Sequence, residues 1–364
     1  MAMILHLFLF ITISLSHIIK GIDVPCNLND TQQTRGVCKD IRECKFAIEQ
    51  LKAGITPKTC QGRVVCCPTE LTLSEKKCEE WKEYLQIPVA LGSTGPNPIS
   101  CLRSFMPPGF FIVGGRDALP FEFPHVIALG WGANETDLKF HCTGSLISEN
   151  YVLTAAHCIT SPKGEPSFAL IGDIALTPDK AGDYRQIVRI EKSIVHPNYK
   201  PPLTYGDIAL VKLSQEMPLS QYLLPVCLPQ AGDKAGPNDS VEAAGFGLLG
   251  PGEPQTNVLQ AVNLTYIKKN ECLEFYDSAS DRERRFPEGL AKSQICAGDK
   301  TDSGKDTCSG DSGGPLTINK DLRCVFYLVG VTSFGARLCS YGQPAVYTNV
   351  FSYNPWIEHI VWGS

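Results

Sequence analysis

The apolar residues of this chain change pattern along its length. Met3 to Ser16 (MILHLFLFITISLS) form a nearly unbroken apolar run, about as long as the core of a secretory leader and too short to span a bilayer. Small residues at Ser14 and Ser16 suit cleavage before His17, with a cut after Gly21 as the alternative, so residues 1–21 read as a signal peptide although no positive charge precedes the run. From Ile112 onward, short β-branched and aromatic runs alternate with turns. Val126 to Leu129, Ser145 to Ser148, Tyr151 to Leu153, Ile187 to Ile190, Ile208 to Leu213, Val325 to Val331 and Ala345 to Val350 read as strands. Many short strands between Gly- and Pro-rich turns predict an all-β antiparallel sandwich or barrel. Helical spacing is confined to Pro355 to Trp362 at the end and Ser74 to Leu85 before the strands begin. No later stretch approaches 18 apolar residues, so the mature chain is expected to be soluble, with no membrane partner.

Cysteines divide the rest. The chain has 364 residues and 16 cysteines, an even number that points to a disulfide framework in an oxidising compartment. Cys26, Cys38, Cys44, Cys60, Cys66 and Cys67 crowd into residues 26–67, too short a segment to bury much core without covalent staples. Spacing alone does not select among their pairings. Residues 68–111 read as a linker, because Gly92, Gly95, Pro96, Pro98, Pro107, Pro108 and Gly109 break regular structure after the short helix. Asn29, Asn134, Asn238 and Asn263 head glycosylation sequons, compatible with secretion. A net charge of −5 leaves no basic footprint for nucleic acid.

Three short strings carry chemistry. Gly310-Asp311-Ser312-Gly313-Gly314-Pro315 sets a serine among glycines, so a substrate carbonyl can approach it closely. The backbone N–H groups of Gly310 and Ser312 are then candidate donors to an oxyanion. Of seven histidines, His157 is the candidate base: it follows a strand in Leu153-Thr-Ala-Ala-His-Cys158, and a disulfide at the next residue would hold its ring in place. Asp207 opens Gly206-Asp-Ile-Ala-Leu-Val-Lys-Leu213, where a carboxylate entering an apolar strand needs a partner that His157 can supply.

The order His157, Asp207, Ser312, with the strings TAAHC, DIAL and GDSGGP, resembles the chymotrypsin-like serine proteases from Ile112 to Ser364. The resemblance implies a double antiparallel β-barrel with a C-terminal helix and a catalytic site between the barrels. It implies that Ser333 hydrogen-bonds the triad aspartate, that Asp306 lies at the floor of an Arg/Lys-specific pocket, and that Gly335 and Ala345 form its walls. Ala345 stands where relatives carry glycine, adding a methyl there. Ile112-Val-Gly-Gly115 resembles the family's mature start, whose freed ammonium pairs with Asp311. Because Phe111 precedes that bond, the implied activator is an upstream protease of chymotrypsin-like or elastase-like preference. The N-terminal cysteines, ending in Cys66-Cys67-Pro68, resemble the clip module of arthropod cascade proteases, which implies Cys26–Cys66, Cys38–Cys60 and Cys44–Cys67. The protease resemblance implies Cys142–Cys158, Cys272–Cys296 and Cys308–Cys339. One of Cys78 and Cys101 should pair with Cys227 and the other with Cys324. Cys78-Glu-Glu-Trp81, Cys324 and the non-basic Phe111 are most similar to the mid-cascade clip subgroup.

These resemblances lead to the expectation of a secreted endopeptidase precursor that cleaves another protease precursor in an immune, melanisation or developmental cascade, under serpin control. Alternatives are a terminal protease acting on a non-protease target, or a non-catalytic homologue working as a binding cofactor. No organic cofactor is expected. A calcium ion is conceivable in the first barrel, where Asp173, Asp179 and Asp183 match the loop that holds one in some relatives. Pro344 stands where sodium-regulated relatives carry tyrosine.

Overall fold

The computed structural model describes residues 24–29, 34–44, 47–48, 51, 56–68, 71–85, 115–178, 182, 184–230, 236, 239–248, 254–276, 283–299, 310–319, 325–335 and 343–363. Contacts divide the chain into a small unit ending at Thr72 and a large one, Leu73–Ser364. The leader region, residues 1–21, lies outside the described residues.

The small unit is a 4-stranded antiparallel sheet of β1 (Pro25–Asn29), β2 (Thr34–Asp40), β3 (Thr59–Gln61) and β4 (Val64–Pro68), in the order β1-β2-β4-β3. Among the described residues its buried cluster is Cys44, Ala47, Val65 and Cys67, so apolar burial there contributes little. Cys26–Cys66, Cys38–Cys60 and Cys44–Cys67 are bridged, with sequence separations of 40, 22 and 23. Loops of that length are each worth roughly 3–4 kcal/mol in the chain-entropy picture, less where they overlap. At Gly36 a Cβ would lie 2.6 Å from the Cys67 carbonyl oxygen, so β2 and β4 meet only because this residue has no side chain.

The large unit opens with helix α1 (Leu73–Lys82), which buries Ser74, Cys78 and Trp81. Cys78 is bridged to Cys227, resolving which linker cysteine takes that partner. Cys101 and Cys324 lie outside the described residues. β5 (Arg116–Asp117) leads to the first barrel: β6 (Val126–Trp131), β7 (Lys139–Leu146), β8 (Tyr151–Thr154), β9 (Phe168–Ile171), β10 (Gln186–Val195) and β11 (Ala209–Leu213). A one-turn helix, α2 (Ala156–Ile159), follows β8. The six strands close in the order β10-β11-β8-β7-β6-β9. The second barrel comprises β12 (Ser240–Gly245), β13 (Gln260–Ile267), β14 (Gln294–Gly298), β15 (Pro315–Asn319), β16 (Phe326–Phe334) and β17 (Ala345–Asn349), with helix α3 (Lys269–Glu274) after β13. Its order is β12-β15-β16-β17-β14-β13, closed by β12–β13 pairing, with β5 added beside β13. Helix α4 (Asn354–Trp362) ends at Gly363, whose φ of 73° is the left-handed turn that stops a helix. The Ser74 N–H and hydroxyl both donate to Glu358 on α4, so α1 packs within the protease unit.

The architecture is the double antiparallel barrel with a C-terminal helix expected from the sequence. Its boundaries differ locally. β7 begins at Lys139, earlier than the apolar run implied, because its buried Thr143 and Ser145 are polar and hide the strand from a hydrophobic count. The Ala- and Gly-rich β12 escaped for a related reason: small residues pack without looking apolar.

Candidate active site

The two barrels each contribute to one site. His157 sits on α2 directly after β8, and Asp207 stands two residues before β11; β8 and β11 are paired neighbours, which brings the two residues together. Both the N–H of His157 and its Nδ1 reach Asp207, at 2.9 and 2.8 Å. The Ser333 hydroxyl, from β16 of the other barrel, donates to Asp207 Oδ2 at 2.5 Å. Thr348 Oγ1 donates to the Asp207 backbone carbonyl at 2.7 Å, a second fastening from β17.

The Asp207 side chain is 3% exposed, whereas that of His157 keeps 32% of its surface open. Burial is the largest influence on the carboxyl and favours its neutral form. The His157 ring, the Ser333 hydroxyl and the His157 N–H outweigh it and hold the Asp207 pKa below its ordinary value. Burial likewise opposes a charged His157, yet the Asp207 charge and hydrogen bond prevail and raise the imidazole pKa. Against an ionised Asp207, the ring carries its hydrogen on Nδ1 and leaves a lone pair on Nε2.

Ser312 belongs to the loop entering β15. Its carbonyl accepts from the Thr143 N–H on β7 at 2.9 Å, and the Gly313 N–H donates to Thr332 on β16 at 2.8 Å, so the loop is clamped between the barrels. A Cβ at Gly313 would lie 2.1 Å from Thr154 Oγ1, and the residue's φ is +78°. At Gly310, φ is +103° and a Cβ would come within 2.8 Å of Gly247. Both glycines are therefore required by conformation and by space. Among the described residues, nothing accepts from the N–H groups of Gly310 and Ser312. Asp311 turns away, its Oδ1 accepting from the Gly247 N–H at 2.8 Å. Its carboxylate fills the space a side chain at Gly245 or Gly247 would need, a role for the Gly-Phe-Gly string that sequence reasoning missed.

Around this centre, Gly335 is half-buried after β16, and Ala345 is fully buried within the second barrel's apolar cluster, with Ala297 opposite it. The Cys142–Cys158 bridge beside His157 and the Cys272–Cys296 bridge are present. Phe111, Ile112, Asp306, Cys308 and Cys339 lie outside the described residues. Asn134 and Asn263 are exposed, Asn238 lies outside the described residues, and Asn29 ends β1. In the loop matched to a calcium site, Arg185 donates to Asp173 Oδ2 at 3.2 Å and to the carbonyls of Ala175 and Leu176 at 2.6 and 2.9 Å. A guanidinium thus already occupies the oxygens a cation would need, and the described residues do not fit calcium. Asp179 and Asp183 lie outside them.

Sequence comparisons agree with this geometry. The Trypsin family model matches residues 112–357. Serine protease snk of Drosophila melanogaster is 34% identical over 341 residues, covering 89% of this chain and 76% of that protein. Venom serine protease Bi-VSP of Bombus ignitus is 33% identical, covering 87% of each chain. Phenoloxidase-activating factor 1 of Holotrichia diomphalia is 33% identical, covering 68% of this chain and 69% of its own. With a stapled sheet in its N-terminal unit and a double barrel in the unit that follows in sequence, the chain belongs to the trypsin family as an arthropod clip-domain serine protease, a serine endopeptidase.

Proposed function

We propose that this protein is a secreted, extracellular zymogen whose catalytic residues are His157, Asp207 and Ser312. The observation that carries the reading is the hydrogen-bond chain from Ser333 through Asp207 to His157, beside a serine loop whose Gly310 and Gly313 leave no room for a side chain. Ser312 Oγ attacks the scissile carbonyl while His157 Nε2 takes its proton; Asp207 stays ionised and steadies the imidazolium. The Gly310 and Ser312 N–H groups receive the oxyanion. His157 then protonates the leaving amine, and water repeats the sequence on the acyl-enzyme. Asp306 binds an Arg or Lys side chain, with Gly335 and Ala345 as walls. Cleavage between Phe111 and Ile112 by a protease of chymotrypsin-like or elastase-like preference frees an ammonium for Asp311 and completes the oxyanion site.

The substrate in this reading is another protease precursor in an extracellular immune, melanisation or developmental cascade, and a serpin ends the activity. Relatives named as phenoloxidase-activating proteins favour a second reading, a terminal protease with a non-protease target. No calcium is required, since Arg185 serves the first-barrel loop instead.

The test compares peptides ending in Arg, Lys or Phe, before and after chymotrypsin treatment of the full chain, with Ser312→Ala alongside. Arg or Lys turnover that appears only after the Phe111–Ile112 cut, and not in the variant, supports the reading. Turnover of Phe-ending peptides alone, after a verified cut, would remove the role given to Asp306.

A further inference from the structure

Helix α1 meets the protease barrels at a small chamber that the mechanism above does not use. Its walls include Trp81 and Lys82 of α1, His125 just before β6, and Leu224, Cys227 and Phe326. The Cys78–Cys227 bridge lies in the same wall. Trp81 is 3% exposed and His125 1%. Trp81 Nε1 and His125 Nε2 are both buried, and neither has a hydrogen-bond partner among the described residues. The His125 ring is otherwise surrounded by aromatic carbon, with ring centroids 5.3 Å from Phe326 and 6.2 Å from Phe123. Its backbone is fixed, since its carbonyl accepts from the Leu146 N–H at 2.8 Å. Burial pushes the His125 pKa down to about 3, so the ring is neutral.

A buried donor and a buried acceptor left unpaired are costly, and here the two side chains line one chamber. The chamber measures about 20 Å³, room for one water molecule and nothing larger. An indole N–H can only donate, so the ligand must offer a lone pair, which rules out ammonium. A neutral imidazole can accept at Nε2, so the ligand must also carry a proton to give. We propose that the chamber is a binding site for one internal water, which accepts from Trp81 Nε1–H and donates to His125 Nε2. This bridge fastens α1 to the first barrel beside the disulfide. The two fastenings differ in kind: the disulfide limits how far α1 can travel, and the water bridge sets how its indole is turned. The inference is independent of the catalytic assignment proposed above.

The test uses the full chain labelled with nitrogen-15 at its four tryptophans, with Trp81→Phe to assign the Trp81 indole signal. In the unmodified protein that indole proton should show a nuclear Overhauser effect to a water proton, with the sign of a slowly tumbling molecule. An effect to the His125 ring alone, meaning a direct bond, overturns the inference. Melting temperatures give a second readout. His125→Leu removes the acceptor and should lower the Tm by about 3–6 °C, whereas His125→Gln, which keeps an acceptor, should recover most of that loss. Trp81→Phe should also lower the Tm, and combining it with His125→Leu should cost about 3 °C less than the sum of the two. Strictly additive losses, or a His125→Gln variant as weak as His125→Leu, overturn the inference. The spectrum of the unmodified protein stands independently should a variant fold poorly.

Discussion

In the proposed site, the acid–base half and the nucleophile half are held by opposite means. In the first barrel, His157 and Asp207 are fixed by side chains: burial, two contacts between the pair, and the Ser333 hydroxyl. In the second, Ser312 is fixed chiefly through backbone: its carbonyl accepts from the Thr143 N–H, and the glycines around it leave no room for a Cβ. The first arrangement sets electrostatics, so a change of charge there matters more than a change of shape. The second sets position and tolerates almost no replacement of shape.

Four experiments, from the largest expected effect to the smallest, sharpen that contrast. Asp207→Asn keeps the volume but removes the charge, and should lower kcat about 10⁴-fold with little change in folding, as read by kinetics and circular dichroism. In the unmodified enzyme the raised His157 pKa places the acid limb of kcat/KM above the ordinary histidine value of about 6.5, since only the neutral ring accepts the serine's proton. The lowered Asp207 pKa contributes stability that is full above the ordinary aspartate value and is lost as pH falls through the folded one. Gly313→Ala changes no charge, yet should destabilise the fold by about 2–4 kcal/mol and suppress activity at least tenfold, because it meets Thr154 at a left-handed φ. A near-normal melting temperature and rate in that variant would show that the loop yields more than its geometry allows. The smallest effect belongs to the first-barrel loop, away from both halves. Arg185→Gln should destabilise by about 2 kcal/mol, and neither EDTA nor added calcium should move the melting temperature of the unmodified protein. A calcium-dependent rise would mean that the guanidinium does not fill the site.

Much of this was legible in the sequence because the chemistry sits in short contiguous strings. TAAHC puts the histidine next to a staple, DIAL puts the aspartate at the mouth of a strand, and GDSGGP surrounds the serine with residues lacking side chains. What escaped depends on residues far apart in the chain. Nothing local distinguishes Cys78 from Cys101 as the partner of Cys227; the choice follows from α1 burying Cys78 and Trp81. Arg185 reads as one more surface charge until its donors are found on Asp173 and two loop carbonyls. The Gly245-Phe-Gly247 string was visible, but its purpose, a cradle for Asp311, was not.

The Cys78–Cys227 bridge has a consequence for what the proposed cleavage can release. Between those residues the backbone and the sulfurs form a covalent ring, and one nick in the segment joining α1 to β5 opens the ring without freeing a fragment. The mature molecule would run as one species on a non-reducing gel and as two after reduction. The N-terminal module stays at an effective concentration set by its tether, in the millimolar range for a short flexible connection, whatever the dilution of the surrounding fluid. Any surface this module recognises would therefore retain the active protease, gaining avidity without new contacts at the catalytic centre.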